Sequence, residues 1–262
     1  MHLKNLLLLL KNDYYTTMIA TLSIVRYPKW MSWAGFLSMA IFRLPLWLNS
    51  SILFWKLMGC GKGGSFSKTP DLQQWALLTI WENLPINIDS NHSSTQLIAQ
   101  VNAANIYGKF ISGWWKLMGA EIYTLLLEPI EGHGYWDGKQ PFGQLTKSND
   151  YNGKICVLTR ATIRLSKLPH FWNNVESVAN NMASSKGFIG SVGIGEIPFI
   201  KQATFSVWES KDDMKNFAYK LHEHTKVIAK TRKEKWYSED LFVRFKPLAS
   251  YGSLNGIDLF KP

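Results

Sequence analysis

Two closely spaced histidines are the residues of this chain that best fit metal chemistry. His222 and His224 lie in "MKNFAYKLHEHTKVI", where the spacing of apolar residues predicts a helix from Met214 to Ile228. His224 follows Phe217 by seven residues, about two helical turns, and so borders the apolar face, whereas His222 lies toward the opposite border. A histidine at the edge of a buried face is either a hydrogen-bonded core residue or a metal ligand, and helix geometry alone leaves both interpretations open.

The elements around this helix belong to an internal repeat. "ALLTIWEN" resembles "ATFSVWES", and Pro129 precedes Gly138 by the same interval at which Pro247 precedes Gly256. "TLSIVRYP" and "CVLTRATI" begin the two halves. Each half has the order strand, helix, strand, strand, helix, strand, which is the ferredoxin-like unit. The sequence therefore predicts an α+β fold in which two tandem ferredoxin-like halves form a pseudo-dimer like a dimeric α+β barrel.

The repeat also sets domain boundaries. We expect residues 1–17 to be an N-terminal extension, residues 18–143 the first half and residues 154–262 the second half, with a Gly/Asn-rich linker from Gln144 to Gly153. The predicted strands at equivalent places are Ala20–Tyr27, Trp75–Trp81, Lys154–Thr162 and Ala203–Trp208.

The repeat distinguishes His224 from an ordinary core histidine. Counted back from Pro247 and Pro129, the first-half counterpart of His224 is Ile106. Since an apolar residue serves the shared fold at that position, the histidine indicates a special site in the second half alone.

Composition narrows the range of partners. The chain has 262 residues, 46% of them hydrophobic, with 29 Lys and Arg against 19 Asp and Glu, for a net charge of +10. This balance favours an acidic partner, either anionic lipid or an acidic redox protein. Nucleic acid is not expected, because zinc-finger spacing and RNP-like motifs are absent and the cations are scattered. The two distant cysteines predict no disulfide framework and favour a reducing, cytoplasmic location.

A second apolar region, Trp30–Cys60, raises the question of a membrane. Arg43, Pro45 and the polar residues 49–51 interrupt it, so we expect two helices packed on a sheet and no spanning helix. Peripheral contact with the inner face of a membrane is the functional expectation for this region.

Two further motifs have simple interpretations. "GCGKGG" contains Gly59, Gly61 and Gly64 at dinucleotide-fingerprint spacing, but we predict a helix before it and a strand after it, the reverse of that motif, so it is expected to be a turn. Neither Cys60 nor Cys156 has a neighbouring histidine that would activate it, and Cys156, in an apolar strand, is expected to be a small buried residue.

Several segments from both halves carry a family resemblance: "FWKLMGCG", "LLLEPIEGHGYWDGKQPF", "LTRATIRL", "GIGEIPFIKQATFSVWES", "MKNFAYKLHEHTKVI" and "TRKEKWYSEDLFVRF". They resemble the spheroidene monooxygenase family over nearly the whole chain from Met18, most specifically from Gly193 to Phe245. The resemblance implies a dimeric α+β barrel that holds haem b and inserts a keto group into an acyclic carotenoid or similar apolar substrate. It also implies O2 and reduced ferredoxin, or a ferredoxin-type donor, as co-reactants.

The resemblance also implies roles for particular residues. The family-like segment Phe217–Tyr219 is followed at the matching interval by His224, which becomes the expected haem iron ligand. Arg160 is a candidate for catalysis and for contact with a haem propionate or bound oxygen, and a surface ion pair is its alternative. Trp208 is the third residue that we expect to contact the cofactor.

Other functions stay open at this point. The polar segment "NIDSNHSS" departs from the family pattern and bears on the substrate rather than on the fold. The alternatives are another haem-barrel enzyme, similar to an aldoxime dehydratase that acts on a small nitrogen compound, and a haem-binding protein without catalysis.

Overall fold

The computed structural model describes residues 18–64, 67–82, 84, 103–146, 149–220, 231 and 234–258. The expected N-terminal extension lies outside this range. The chain forms eight strands: β1 (Ile19–Arg26), β2 (Ile52–Gly61), β3 (Pro70–Trp81), β4 (Glu121–Gly134), β5 (Ile155–Ile163), β6 (Phe188–Ile197), β7 (Lys201–Trp208) and β8 (Tyr237–Gly252).

The helices lie between the strands at the positions that the repeat predicts. They are α1 (Ser32–Ile41), α2 (Arg43–Leu48), α3 (Ala103–Leu117), α4 (Leu168–Ala183) and α5 (Lys211–Lys215), which continues as a π-helical turn, Asn216–Lys220. Short 3-10 turns occupy Lys29–Met31, Lys62–Gly64 and Leu165–Lys167.

The strands close into one antiparallel barrel in the order β1-β3-β2-β6-β7-β5-β8-β4. Within it the halves contribute arcs of equivalent order, β4-β1-β3-β2 and β8-β5-β7-β6. The arcs are joined where β2 pairs with β6 and β4 pairs with β8. The predicted α+β fold of two ferredoxin-like halves is therefore confirmed. The four predicted strands agree with β1, β3, β5 and β7, although β3 begins five residues earlier than predicted.

The barrel interior is a packed apolar core. Alternate residues of β1, namely Ala20, Leu22 and Ile24, point inward, as the two-residue period of a strand requires, and meet residues from the other seven strands. An eight-stranded barrel has an interior just wide enough for side chains to fill. Trp136 and Phe142, from the loop after β4, add to this core. A large ligand must therefore bind outside the barrel.

The outer face of the first half is covered by its own helices. Helices α1 to α3 pack on outward residues such as Val25 and Trp81 in one continuous apolar cluster. The Tyr107 hydroxyl of α3 lies 2.8 Å from Thr21 Oγ1 and 2.9 Å from Ser23 Oγ, so it satisfies the polar groups beneath the helix. Nothing larger than a side chain fits between α3 and this part of the sheet.

One sequence prediction in this region is wrong. The C-terminal part of Trp30–Cys60 is not a helix but strand β2, so "GCGKGG" connects two strands through a 3-10 turn, with Gly63 at φ +81°. Short apolar runs do not distinguish a buried strand from a helix, which accounts for the error. The remaining helical stretch, Lys29–Leu48, is long and apolar enough by length and composition to cross a membrane.

Candidate functional site

Arg160 lies on β5 inside the barrel. It has the same strand parity as the inward residues Cys156 and Leu158, and its side chain is 1% exposed. Its guanidinium donates a hydrogen bond to Glu239 and lies 5.5 Å from the centre of the Trp136 ring. Arg160 is therefore held at one end of the barrel core by charge and by an aromatic face.

Further charged groups complete this end of the barrel. Arg160 Nη2 lies 3.4 Å from Asp137 and 3.6 Å from Glu196, and Lys56 and Lys201 pair with the same carboxylates. Burial acts to raise the pKa of Asp137, but hydrogen bonds from Lys201 and Lys56 outweigh it and lower the pKa to about 2. Each charge in this network faces an opposite one, whereas Arg160 Nε is buried without a hydrogen-bond partner among the described residues.

The structure does not bring Arg160 and Trp208 together. Trp208 belongs to the outer cluster beneath helices α4 and α5, whereas Arg160 belongs to the interior. Along the β5–β7 ladder, Trp208 pairs with Ile155, and Arg160 pairs with Ala203, five residues away. Of the two alternatives for Arg160, ion pairing is what its geometry shows, in the barrel rather than on the surface. Its predicted catalytic and haem contacts stay predictions, and they require a site other than the one beside Trp208.

Trp208 anchors the helix that leads toward the two histidines. The indole Nε1 donates to Ser206 Oγ at 3.0 Å, and its ring stacks on Phe217 with centroids 5.2 Å apart. Met214 and Phe217 are both buried against this strand, as the apolar spacing predicts. His222 and His224 lie outside the described residues, so the ligand assignment of His224 stays a prediction. Trp208 as a cofactor contact also stays a prediction.

The outer face of the second half contains a row of four paired residues, three of them small or polar, that we call the floor. It runs across β6, β7, β5 and β8 through the paired positions Gly193, Thr204, Thr159 and Phe242. Apolar side chains bound it on two sides as separate clusters among the described residues. One contains Val157, Trp208, Met214 and Phe217, and the other contains Ile163, Phe171, Trp172, Val175 and Trp236.

Two threonines distinguish the floor from the matching surface of the first half. The Thr204 side chain is buried, with the residue 9% exposed, yet its hydroxyl has no hydrogen-bond partner among the described residues. Thr159, which pairs with it, is exposed. In the first half, helix α3 covers the equivalent outer surface, and its Tyr107 hydroxyl contacts the hydroxyl groups of Thr21 and Ser23. An unpaired buried hydroxyl beside an open position is where a polar ligand group would gain a hydrogen bond.

Sequence reasoning missed the floor. The sequence carries a weak signal for it. Outward positions of β6 and β7 hold Ser191, Gly193, Thr204 and Ser206, where the first half has Trp55, Leu57, Leu77 and Thr79. Small residues at consecutive outward positions leave space above a sheet, and only the pairing of the strands shows that these spaces are continuous.

The cysteines offer no competing chemistry. Burial raises the pKa of Cys60 to about 12 and raises that of Cys156 well above its ordinary value, so both stay as thiols in the barrel core. Within the described residues, no three His, Cys, Asp or Glu side chains are grouped to hold a metal ion. A metal here would need ligands from other parts of the chain or from a prosthetic group.

The closed barrel of two fused ferredoxin-like halves places the chain in the class of fused dimeric α+β barrels. Its structure is similar to that of an aldoxime dehydratase, with a TM-score of 0.53 and 11% identity over 88% of this chain and 81% of that one. An aldoxime dehydratase in complex with butyraldoxime gives a TM-score of 0.51 at 10% identity, covering 88% and 79%. At such identities the likeness shows the fold alone.

Sequence comparison identifies the family. The chain is 30% identical over 244 residues to spheroidene monooxygenase of Rhodobacter capsulatus, covering 92% of this chain and 94% of that protein. It is 32% identical over 206 residues to the protein of the same name from Cereibacter sphaeroides, and this match spans 78% of the chain but only 59% of the relative. No family model matches the chain. The chain belongs to the spheroidene monooxygenase family, as the sequence segments predict.

Proposed function

We propose that this protein is a haem-dependent monooxygenase that inserts oxygen, as a keto group, into an acyclic carotenoid or a similar apolar substrate. Its relatives are named spheroidene monooxygenases, and that name supports the reaction. The observation that supports a bound haem is the floor, where the buried Thr204 hydroxyl lacks a hydrogen-bond partner and the Thr159 side chain is exposed.

Three features of the described residues support a haem on the floor. A haem is flat and largely apolar, with polar groups at its edge and its metal. Gly193 and Thr159 carry little bulk on the outer face, so a flat group could lie there, and the apolar clusters on either side would exclude water from its edges. The Thr204 hydroxyl provides a hydrogen-bond partner that the protein itself does not use.

The internal repeat supports the place of His224. Ser23 pairs with Leu77 and Thr159 pairs with Thr204, and each partner lies four residues before the tryptophan that ends its strand, so Ser23 and Thr159 are equivalent. Tyr107, which contacts Ser23, follows the counterpart of His224 by one residue. By this equivalence, His224 belongs to the segment that would cover Thr159.

The chain's own groups then have distinct roles. The haem, when bound, supplies the activation of O2 and the transfer of oxygen. His224 would hold the iron through one ring nitrogen, with the other free to donate a hydrogen bond that fixes the ring. The Thr204 hydroxyl would donate a hydrogen bond to a polar group of the ligand that lies on the floor. The filled barrel interior keeps the polyene outside it, so the substrate would meet the haem on the outer face of the second half.

The reaction also needs electrons. A ferredoxin-type donor is acidic, and the net charge of +10 favours its association with this chain. The floor lies on an outer face rather than inside the barrel, so a haem bound there would be close to the surface and to a docked electron donor.

The test is haem content followed by turnover. Purified protein should show a Soret band, and His224→Ala should lose most of it while its far-UV circular dichroism is unchanged. His222→Ala is the matched control and should keep the band. With O2 and reduced ferredoxin, the native protein should convert an acyclic carotenoid to a product in which two hydrogens are replaced by one oxygen. A native protein that binds no haem, or that binds haem and leaves every acyclic carotenoid unchanged, would refute the proposal.

A further inference from the structure

The helices of the first half expose an unusually apolar surface. Helices α1 and α2 already bury one stripe against the barrel, at Ala34, Ser38, Phe42 and Leu46. Their opposite side is apolar too: Trp30, Trp33, Leu37, Leu44 and Trp47 recur at steps of three, four, seven and three. A surface helix normally carries charged residues on that side. A partner that covers these outward side chains would remove their apolar surface from water.

The exposure of these residues is high. Trp30, Phe36 and Trp47 are 72%, 72% and 73% exposed. Neighbouring side chains on the same helices and on α3 extend the surface. We call the whole set the aromatic face: Trp30, Trp33, Phe36, Leu37, Leu44, Trp47, Leu48, Phe110 and Leu117. Nine large apolar side chains exposed on three helices of one half indicate a binding surface for a protein or for a membrane.

Charge decides between these partners. The segments Lys29–Leu48 and Ala103–Leu117 contain no Asp or Glu, whereas Lys29, Arg43, Lys109 and Lys116 are exposed. A second copy of the chain packed on the aromatic face would bring these cations together, with no carboxylate from either segment to pair with them. An anionic lipid surface offers both the opposite charge and an apolar interior. Tryptophan is also the side chain that prefers the boundary between lipid and water.

We propose that the aromatic face docks the protein on an anionic membrane surface, with α1 and α2 lying in the plane of the interface. This inference concerns where the protein works and does not depend on the proposed reaction. The aromatic side chains enter the boundary between headgroups and acyl chains, and the surrounding lysines and Arg43 contact lipid phosphates.

Packing of the inner stripe holds the helices in this orientation. Gly35 lies so close to the barrel that a Cβ there would stand 2.2 Å from Trp75 Nε1. The Ser38 hydroxyl is buried and donates to Gly35 O at 2.6 Å. Helix α1 therefore cannot leave the sheet and cross a bilayer without breaking the first-half core, although Lys29–Leu48 is long enough to do so.

The test is flotation of the full chain with lipid vesicles. Native protein should float with vesicles of phosphatidylcholine and phosphatidylglycerol and much less with phosphatidylcholine alone. Trp30→Gln with Trp47→Gln should reduce binding at least about tenfold, since two large side chains lose their lipid burial. Leu165→Gln with Ile257→Gln is the matched control, because these residues are 68% and 60% exposed elsewhere on the surface.

A second pair of variants tests the charge. Lys109→Gln with Lys116→Gln should weaken binding to anionic vesicles and reduce its salt dependence, whereas Lys139→Gln with Lys186→Gln changes the net charge equally and should have little effect. Haem content should be native in all variants, which separates this test from that of the reaction. Equal flotation of the tryptophan variant and native protein would overturn the proposal. So would a dimer in solution that the tryptophan variant dissociates, without vesicle binding, or membrane extraction that requires detergent and resists carbonate.

Discussion

Glu121 and Glu239 hold equivalent positions in the two halves, and each closes the final turn of the other half. Glu239 accepts hydrogen bonds from both backbone N–H groups of the Asp137–Gly138 turn, at 2.9 and 2.7 Å. Glu121 accepts the same pair from the Asn255–Gly256 turn, at 2.9 and 3.0 Å. All four turn residues have positive φ, as a two-residue turn of Asp-Gly or Asn-Gly requires. The two halves are thus linked by a reciprocal contact.

The two glutamates do not contribute equally to the free energy of unfolding. Glu239 also accepts a hydrogen bond from the buried guanidinium of Arg160, whereas Glu121 accepts one from the Ser253 hydroxyl. We therefore expect Glu239→Gln to lower the free energy of unfolding by about 1–3 kcal/mol more than Glu121→Gln does, since it removes the nearest counter-charge of a buried cation. Urea denaturation of both variants measures this. An equal loss in the two variants would contradict the importance of the Arg160 network.

A second carboxylate joins the halves from a deeper position. Glu131 on β4 is 1% exposed at its side chain and pairs with Lys211 and Arg244, both from the second half. Glu131→Gln would leave two buried cations without a full counter-charge and should cost about 3–5 kcal/mol of stability. Glu128→Gln is the matched control on the same strand, because its ion pair with Lys246 is long, at 3.8 Å, and partly exposed.

The control should cost less than about 1 kcal/mol. Chemical denaturation distinguishes the two outcomes directly. If both variants unfold at the same denaturant concentration, the contact between Glu131 and the second half does not stabilise the barrel.

Acid should weaken the barrel through these carboxylates. Ion pairs and backbone N–H groups outweigh burial and lower the pKa of Glu121, Glu131 and Glu239, and they lower that of Asp137 from 3.8 to about 2. A group whose pKa is lowered on folding stabilises the native state above its unfolded pKa and loses that contribution as the pH falls through the folded value. We expect the free energy of unfolding to fall steadily below about pH 4.5, toward pH 2.

Denaturation at a series of pH values checks this. Glu131→Gln should show a shallower slope over the same range because it removes one of the titrating groups. A native protein whose stability is constant from pH 5 to about pH 2.5 would contradict the assignment of these ion pairs.

The fold could be predicted because the repeat fixes equivalent strands. The repeat predicts that Trp81 and Trp208 end strands, and in the structure each pairs with the first residue of its neighbouring strand, Ile19 and Ile155. The sequence does not predict strand β2, because both of its faces carry apolar residues and the alternation that identifies a strand is absent.

The site could be predicted only in part. The helix near Trp208 and its apolar face follow from local spacing. The position of Arg160 does not, because alternation along β5 divides its residues into two sets without indicating which set faces the barrel interior. The floor is harder still to predict from the sequence, because it is formed by the register of four strands that are far apart in sequence. Pairing of this kind is fixed by tertiary packing and leaves little signal in any single segment.

The last prediction tests the floor directly. Thr159 is exposed at the centre of the floor. Thr159→Trp should therefore fold normally and place a large ring where we propose that the haem lies. Haem content per chain should fall at least about tenfold, because a flat ligand and an indole cannot share that space. Thr69→Trp, at an exposed position before β3, is the matched control and should retain full haem.

A milder variant separates blocking of the site from loss of a hydrogen bond. Thr204→Val keeps the shape of the side chain and removes only its unpaired hydroxyl. Without a ligand, this change should leave stability unchanged or raise it, since a buried hydroxyl without a partner is costly. With haem, affinity should fall by about five- to tenfold, the loss expected for one hydrogen bond. Absorption titration with haem and thermal unfolding with and without it measure both effects. If Thr159→Trp and Thr204→Val bind haem as the native protein does, the floor is not the haem site, and the prosthetic group must be sought on another face of the barrel.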